Sequence, residues 1–171
     1  MRKTKILFLT VFYVLIFAAV LFSCEKKEPR VSPDTDKIVR EISEQFPEYQ
    51  NANSKTIYKS SDKNQELSDR SAIDLFSEKN KPVDLSKLEQ YSVYVSDEND
   101  FEIGIFKLYD KTNAEYVKNM ARTRISKIQS QTDNATSNNA ETRSYGNYVY
   151  YVSHPEKDKI FEIIEDSLKG A

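Results

Sequence analysis

The chain has 171 residues, enough for one domain with a single core, and its 25 basic and 27 acidic residues give a net charge of −2. This balance excludes the dense Lys and Arg clusters that neutralise nucleic-acid phosphates, and three glycines are too few for the loops that usually cradle a nucleotide. A single cysteine excludes an internal disulfide and a multi-cysteine metal cluster. We therefore predict no cofactor, no metal site and no nucleic-acid partner.

The first 23 residues have the pattern of a lipoprotein signal peptide. Three basic residues among the first five precede an almost unbroken apolar run over 6–22, and the small residue Ser23 stands directly before Cys24. These are the marks of a secretory signal with its cleavage site. A cysteine at this position resembles the lipobox, in which the thiol receives a diacylglyceryl group. We predict cleavage before Cys24, lipid attachment to it, and a location on the extracytoplasmic face of a bacterial cell membrane.

An uncleaved N-terminal anchor with an incidental cysteine is the alternative. The apolar run approaches the length of about 20 residues that spans a bilayer as a helix, and Phe22 is bulky for its position. Both alternatives leave residues from 25 onward outside the cytoplasm. Cleavage would remove three basic residues and no acid, leaving 22 against 27, or −5. That charge argues against adhesion to anionic lipid.

Residues 24–36 predict the lipidated cysteine and a flexible tether, because two prolines stand among charges without apolar periodicity. The remaining residues, 37–171, predict a single α+β domain. Apolar residues at helical spacing predict a first helix, capped by Thr35 or Asp36 and ending near Phe46.

The next stretch is less regular. Residues 50–70 are polar and predict a loop, with 56–58 as a hint of a short strand. Residues 71–77 predict a brief helix, which Pro82 terminates.

Alternating apolar residues then predict a β-hairpin. The two apolar sets, on either side of an acidic turn, are Tyr91, Val93 and Val95, and Phe101, Ile103 and Ile105. If both sets face one core, Val95 pairs with Ile103 and Val93 with Ile105, across a three-residue turn. A slip of one residue would bury Glu102 beside the valines.

Three more elements complete the predicted domain. A long helix runs from a cap at Asn113 to about Gln131, with a buried stripe of Tyr116, Val117, Met120, Ala121, Ile125 and Ile128. Residues 130–143 predict a loop, Tyr148–Val152 a third strand, and Lys157–Lys169 a closing amphipathic helix.

The predicted order of elements favours one topology. A helical crossover makes the third strand parallel to the second, so pairing it with the first gives an all-antiparallel sheet with a right-handed connection. We therefore predict a small three-stranded antiparallel sheet in the order 2-1-3, with its helices mainly on one face.

Two strand signatures carry a family resemblance. Glu102-Ile103-Gly104-Ile105-Phe106-Lys107 leads into the long helix, and Gly146-Asn147-Tyr148-Val149-Tyr150-Tyr151-Val152-Ser153 leads into the last one. The stretch from Leu85 to Leu168 resembles the lipoproteins of domain of unknown function 4358, found largely in clostridia and their relatives. The resemblance implies a surface lipoprotein and supplies no catalytic residues.

The histidine and the acidic clusters, which could in principle carry chemistry, are predicted to have structural roles. His154 is the sole histidine and is predicted at a strand end in water. The acids over 97–102 lack the glycine and distant glutamate of a calcium loop, and Glu162, Glu165 and Asp166 predict a charged solvent face. We predict no catalytic residue.

The tyrosines offer a candidate binding surface. Tyr94 is predicted opposite Gly104, where its ring covers the missing side chain. Tyr94 and Phe106 are predicted on the sheet face opposite the valines, joined either by Tyr148 and Tyr150 or by Tyr151. If exposed, this face would suit a peptide or a wall glycan. The alternative is that a helix, such as the first one, covers it as core.

These observations predict a membrane-anchored, non-enzymatic binding module at the cell envelope, with an envelope protein, peptide or glycan as partner. An accessory subunit of a membrane complex is one alternative. An atypical hydrolase is another, which a deep pocket combining His154 with an acid and a serine would favour.

Overall fold

The computed structural model describes residues 33–46, 55–58, 65–78, 81–96, 101–131 and 139–170. Within these ranges the chain is α+β, as predicted, with four helices and a five-stranded sheet in which every neighbouring pair is antiparallel. The elements in chain order are α1 (Thr35–Gln45), β1 (Lys55–Tyr58), α2 (Gln65–Phe76), β2 (Leu88–Val95), β3 (Glu102–Leu108), α3 (Ala114–Gln131), β4 (Glu141–Tyr145), β5 (Tyr148–Ser153) and α4 (Lys157–Lys169), with turns of 3-10 helix at Leu85–Lys87 and Lys111–Asn113.

The helices predicted from apolar periodicity are found. Helices α1, α3 and α4 match their predicted spans to within about two residues, and each packs its apolar stripe on the sheet. Helix α1 begins at Thr35, inside the range predicted as tether. Thr35 is buried, its hydroxyl lies 2.8 Å from the Ser92 hydroxyl, and its backbone N–H donates to Gln90 Oε1. The start of α1 is therefore fixed to strand β2.

The predicted three-stranded sheet in the order 2-1-3 is wrong. The sheet has the order β1-β2-β3-β5-β4, so the third predicted strand, now β5, pairs with β3 rather than with β2. The reason is strand β4, which lies in and just beyond the predicted loop. The crossover through α3 leads to β4, and a tight turn at Gly146, whose φ is +56°, returns the chain as β5 between β3 and β4. Strand β1, also predicted as loop, pairs with β2 at the other edge.

Helices cover both faces of the sheet, so the prediction that they lie mainly on one face is wrong. Helices α1 and α4 pack on the face that carries Tyr94, Ile103, Ile105, Tyr148 and Tyr150. Helices α2 and α3 pack on the face that carries Tyr91, Val93, Phe106, Val149 and Tyr151. Because both faces are buried, β3 and β5 are apolar on both sides, which hides the alternation that would report register.

The register of the hairpin differs from the prediction by one residue. Val95 lies opposite Glu102, Val93 opposite Gly104 and Tyr94 opposite Ile103. This is the slip that the sequence argument excluded because it would bury Glu102. Glu102 is indeed buried, with 2% of its surface exposed.

Gly104 accommodates an aromatic ring from β5 rather than from β2. A Cβ atom placed on Gly104 would overlap the ring of Tyr151, its cross-strand partner, and would lie 2.8 Å from the ring atom Cδ1. The prediction that Tyr94 covers Gly104 is therefore wrong, although an aromatic ring does fill the space. The Tyr151 ring can occupy this space only because residue 104 has no side chain.

Candidate functional site

The four aromatic residues proposed for binding lie in the interior. Tyr94, Phe106, Tyr148 and Tyr150 are at most 3% exposed. They also lie on different faces, since Phe106 packs under α2 and α3 whereas the three tyrosines pack under α1 and α4. They do not form an exposed aromatic face, because a helix pair covers each side of the sheet.

Cys24, the predicted lipid attachment residue, lies outside the described residues. So does the apolar run over 6–22. In the ranges that the structure describes, no helix is long and apolar enough to cross a bilayer, and no group of three or more His, Cys, Asp or Glu side chains could hold a metal ion.

A deeply enclosed ionic group joins β3, α3 and β5. The guanidinium of Arg124 donates from Nε to Glu102 Oε1 at 2.8 Å and from Nη2 to Glu102 Oε2 at 2.6 Å. Tyr151 donates its hydroxyl to Glu102 Oε1. The side chains of Glu102 and Arg124 are 2% and 13% exposed. We call Glu102, Arg124 and Tyr151 the buried triad.

The two hydrogen-bond donors of the triad, Arg124 and Tyr151, keep their protons. Burial, followed by the charge of Glu102, raises the pKa of Tyr151 well above 10.0, so its hydroxyl stays a donor. Burial acts to lower the pKa of Arg124, but the hydrogen bonds and charge of Glu102 outweigh it and raise that pKa. Both Glu102 oxygens are thus engaged by groups that keep their protons. This arrangement suits a structural ion pair better than proton transfer.

Sequence reasoning missed the triad, although one signal was present. On helix α3 the buried positions Val117, Ala121 and Ile128 are spaced so that residue 124 falls in the same stripe. An arginine in an apolar stripe requires a buried acid, and Glu102 is the acid that the predicted hairpin register kept at the surface. A buried Arg124 thus calls for a buried Glu102, and burying Glu102 gives the observed register.

His154 follows the end of β5, as predicted, but it does not lie in water. It is 2% exposed, and its ring meets Phe101 edge-on, with centroids 4.3 Å apart. Phe46 contacts it from another side, with centroids 5.4 Å apart. Its Nδ1 accepts the backbone N–H of Glu156 at 3.0 Å, as a turn residue does. These contacts give His154 a packing role at the start of α4.

The acidic residues of α4 separate into two groups. Glu162 and Asp166 are exposed, in agreement with a solvated face. Glu165 instead pairs with Arg143 of β4 and with Lys169. Burial acts to raise the pKa of Glu165, but these two cations outweigh it and hold that pKa below its usual value. Of the acids over 97–102, residues 97–100 lie outside the described residues, and Glu102 belongs to the buried triad.

One end of the sheet receives the chain from the predicted tether. Tyr148, the first residue of β5, donates its hydroxyl to the Pro33 carbonyl at 2.6 Å. Gln90 of β2 donates to Asp34 Oδ1 at 3.1 Å. A groove of about 380 Å³ between α1 and α4 begins at Pro33 and extends to Gly170. We call this end of the sheet the entry end.

No family model, no curated protein and no solved structure matches the chain. The resemblance to the lipoproteins of domain of unknown function 4358 therefore stays a prediction.

Proposed function

We propose that this chain is a lipoprotein, anchored through Cys24 to the extracytoplasmic face of a bacterial cell membrane, with a folded body that acts as a non-enzymatic binding module. One observation carries the proposal. The sole cysteine follows a small residue, Ser23, at the end of an apolar run that has basic residues in front of it. The resemblance of residues 85–168 to the lipoproteins named above is part of the same proposal.

Anchoring by lipid needs two acyl chains, because a single chain binds a membrane only marginally. A diacylglyceryl group on Cys24 supplies both. The folded body starts close behind it, since α1 begins at Thr35 and Pro33 is already hydrogen-bonded to Tyr148. A body tied this closely to its anchor would act at the membrane surface.

The internal use of charge supports a binding module rather than an enzyme. Glu102 is saturated by Arg124 and Tyr151. Lys107, whose side chain is 8% exposed, lies 2.8 Å from Glu89. In the part of the chain that the structure describes, these buried charges are paired and join strands and helices, which is a structural use of charge.

Metabolic labelling with a radioactive fatty acid tests the anchor. We expect the wild type to carry label and Cys24→Ala to carry none. Ser23→Ala is the matched control, because it alters the neighbouring residue while keeping it small, and it should retain the label. Label on Cys24→Ala would contradict the proposal. An unlabelled wild-type chain that stays in the membrane with Met1 attached would favour the uncleaved anchor.

Crosslinking in intact cells tests the binding function. A binding module should give discrete crosslinked products with an envelope protein, peptide or glycan. These products should be lost when the purified folded body is added in excess as a competitor. Products that do not saturate, or none at all, would contradict a binding role.

A further inference from the structure

We infer that the entry end of the sheet faces the lipid bilayer and that Tyr109 lies there at the level of the lipid headgroups. This inference rests on the proposed lipid anchor and adds an orientation and a lipid-contacting residue to it.

The covalent distance from the anchor limits which part of the body can reach the membrane. Cys24 and Pro33 are nine residues apart, and nine residues span at most about 32 Å in any conformation. A body of this size has a radius of gyration of about 14 Å, which corresponds to a diameter of about 36 Å. The chain is therefore too short to run from the entry end around the body to the opposite end. The entry end therefore stays within about 32 Å of the bilayer, and the opposite end cannot be the one that rests on it.

Hydrogen bonds place Tyr109 at this same end. Tyr148, which holds Pro33, lies opposite Lys107 in the sheet. The backbone N–H of Leu108 donates to Asn147 O at 2.8 Å, and Tyr109 is the next residue. Tyr109 and the entry point of the chain thus lie at the same end of the sheet, where β3 ends and β5 begins.

Tyr109 differs from the other large apolar side chains of the described ranges in its exposure. It is 58% exposed, and no other large hydrophobic side chain is exposed among the residues whose side chains the structure describes, which leave out those of 55–58 and 65–68. A tyrosine suits the boundary between lipid and water because its ring is apolar while its hydroxyl keeps a polar partner. A membrane surface is the occupant that both the short covalent link and this amphipathic ring favour.

Charge around Tyr109 is balanced. Asp110 and Lys111 follow it, and the neighbouring turn carries Asp84 and Lys87. The backbone N–H of Tyr109 donates to Lys87 O at 3.3 Å, so the two turns are adjacent. The two turns carry two acids and two bases, and Asp34 adds a further acid at the same end, so this end has no net attraction to anionic lipid. The contact should therefore depend on the ring and should not be strengthened by anionic lipid.

The absence of tryptophan from the sequence gives a direct test. Tyr109→Trp places the sole tryptophan at the entry end. Glu156→Trp places the same side chain at an exposed position beyond the other end of β5. The six residues of β5 separate its two ends by about 17 Å. The lipidated full-length chain is reconstituted into phosphatidylcholine vesicles whose acyl chains are brominated or not, and association is measured by co-sedimentation.

We expect brominated lipid to quench the tryptophan of Tyr109→Trp, and its emission to shift to the blue on reconstitution, with no increase in either effect on adding phosphatidylglycerol. The tryptophan of Glu156→Trp should show neither change. Equal quenching in both variants, or quenching in Glu156→Trp alone, in a chain that still sediments would overturn the orientation and leave the anchor standing. A chain that fails to sediment would overturn the anchor and this inference together. If circular dichroism shows that Tyr109→Trp does not fold, Lys111→Trp, also exposed at this end, takes its place.

Discussion

Removing Arg124 from the buried triad should destabilise the body strongly. Arg124→Leu keeps the helix propensity of α3, since Leu and Arg are similar helix formers. It also leaves an apolar side chain of several carbon atoms at the buried position. It leaves the carboxylate of Glu102, 2% exposed, without its cation. Breaking a buried ion pair from one side costs about 3–5 kcal/mol because an uncompensated charge stays buried. For a body of this size that lowers the unfolding midpoint by about 6–20 °C.

The same helix offers a matched control. Arg122 pairs with Glu115 at 2.9 Å, but the two side chains are 56% and 66% exposed. Arg122→Leu should cost less than about 1 kcal/mol, because solvent screens an exposed pair. Thermal unfolding of both variants, followed by circular dichroism in the same detergent as the wild type, compares the two arginines directly. An Arg124→Leu midpoint within error of the Arg122→Leu midpoint would refute the reasoning.

A combined variant separates the cost of an unpaired charge from the loss of packing. Glu102→Leu, Arg124→Leu and Tyr151→Phe together remove the polar groups of the triad, so none of its three positions keeps an unpaired one. Replacing a buried ion pair with apolar side chains of similar size is often neutral or stabilising. The triple variant should therefore unfold at a higher temperature than Arg124→Leu alone. A triple variant less stable than Arg124→Leu would show that the triad contributes net stability beyond charge compensation.

Two further predictions concern Tyr151. Gly104→Ala would place a Cβ atom in overlap with the Tyr151 ring, so the ring must move, at a cost of about 1–3 kcal/mol. Gly170→Ala at the exposed end of α4, where the Cβ would lie 3.2 Å from Asp166 O and meet no ring, should cost less. Equal unfolding midpoints for the two variants would contradict the contact. Burial raises the pKa of Tyr151, and also that of Tyr91 and Tyr150, above 10.0 in the folded chain. Because the unfolded chain loses these protons first, the free energy of unfolding keeps its full value below about pH 10 and falls as pH rises through the folded pKa values. Tyrosinate absorbance during alkaline titration should show late ionisation that coincides with unfolding, and ionisation of all tyrosines near pH 10 in a folded chain would argue against it.

The sequence alone was sufficient for elements whose pattern is local. Helices α3 and α4 follow from apolar residues at helical spacing, and β2, β3 and β5 follow from runs of β-branched and aromatic residues. The α+β class follows from their order. Each of these features depends on residues a few positions apart in the chain, so its signal is complete within a short window.

Strand β4 escaped prediction because its stability comes from distant partners. Its sequence, Glu141 to Tyr145, has no apolar alternation, and an edge strand needs none. Arg143 instead stacks 4.0 Å from the ring of Phe161 and pairs with Glu165, both on α4. Because this strand was missed, β5 was predicted to pair with β2 instead of β3, which gave the wrong strand order.

The sequence by itself determined helices α1, α3 and α4 and strands β2, β3 and β5, together with the pattern at Ser23 and Cys24 from which the anchor is proposed. It did not determine strands β1 and β4. Only the tertiary structure decided the strand order, the register of the hairpin and the burial of Glu102. The physical reason is that a buried carboxylate is tolerated only when a cation reaches it, and Arg124 lies 22 residues away in sequence. A local pattern assigns such an acid to the solvent, whereas the folded chain places it in the core and compensates its charge there.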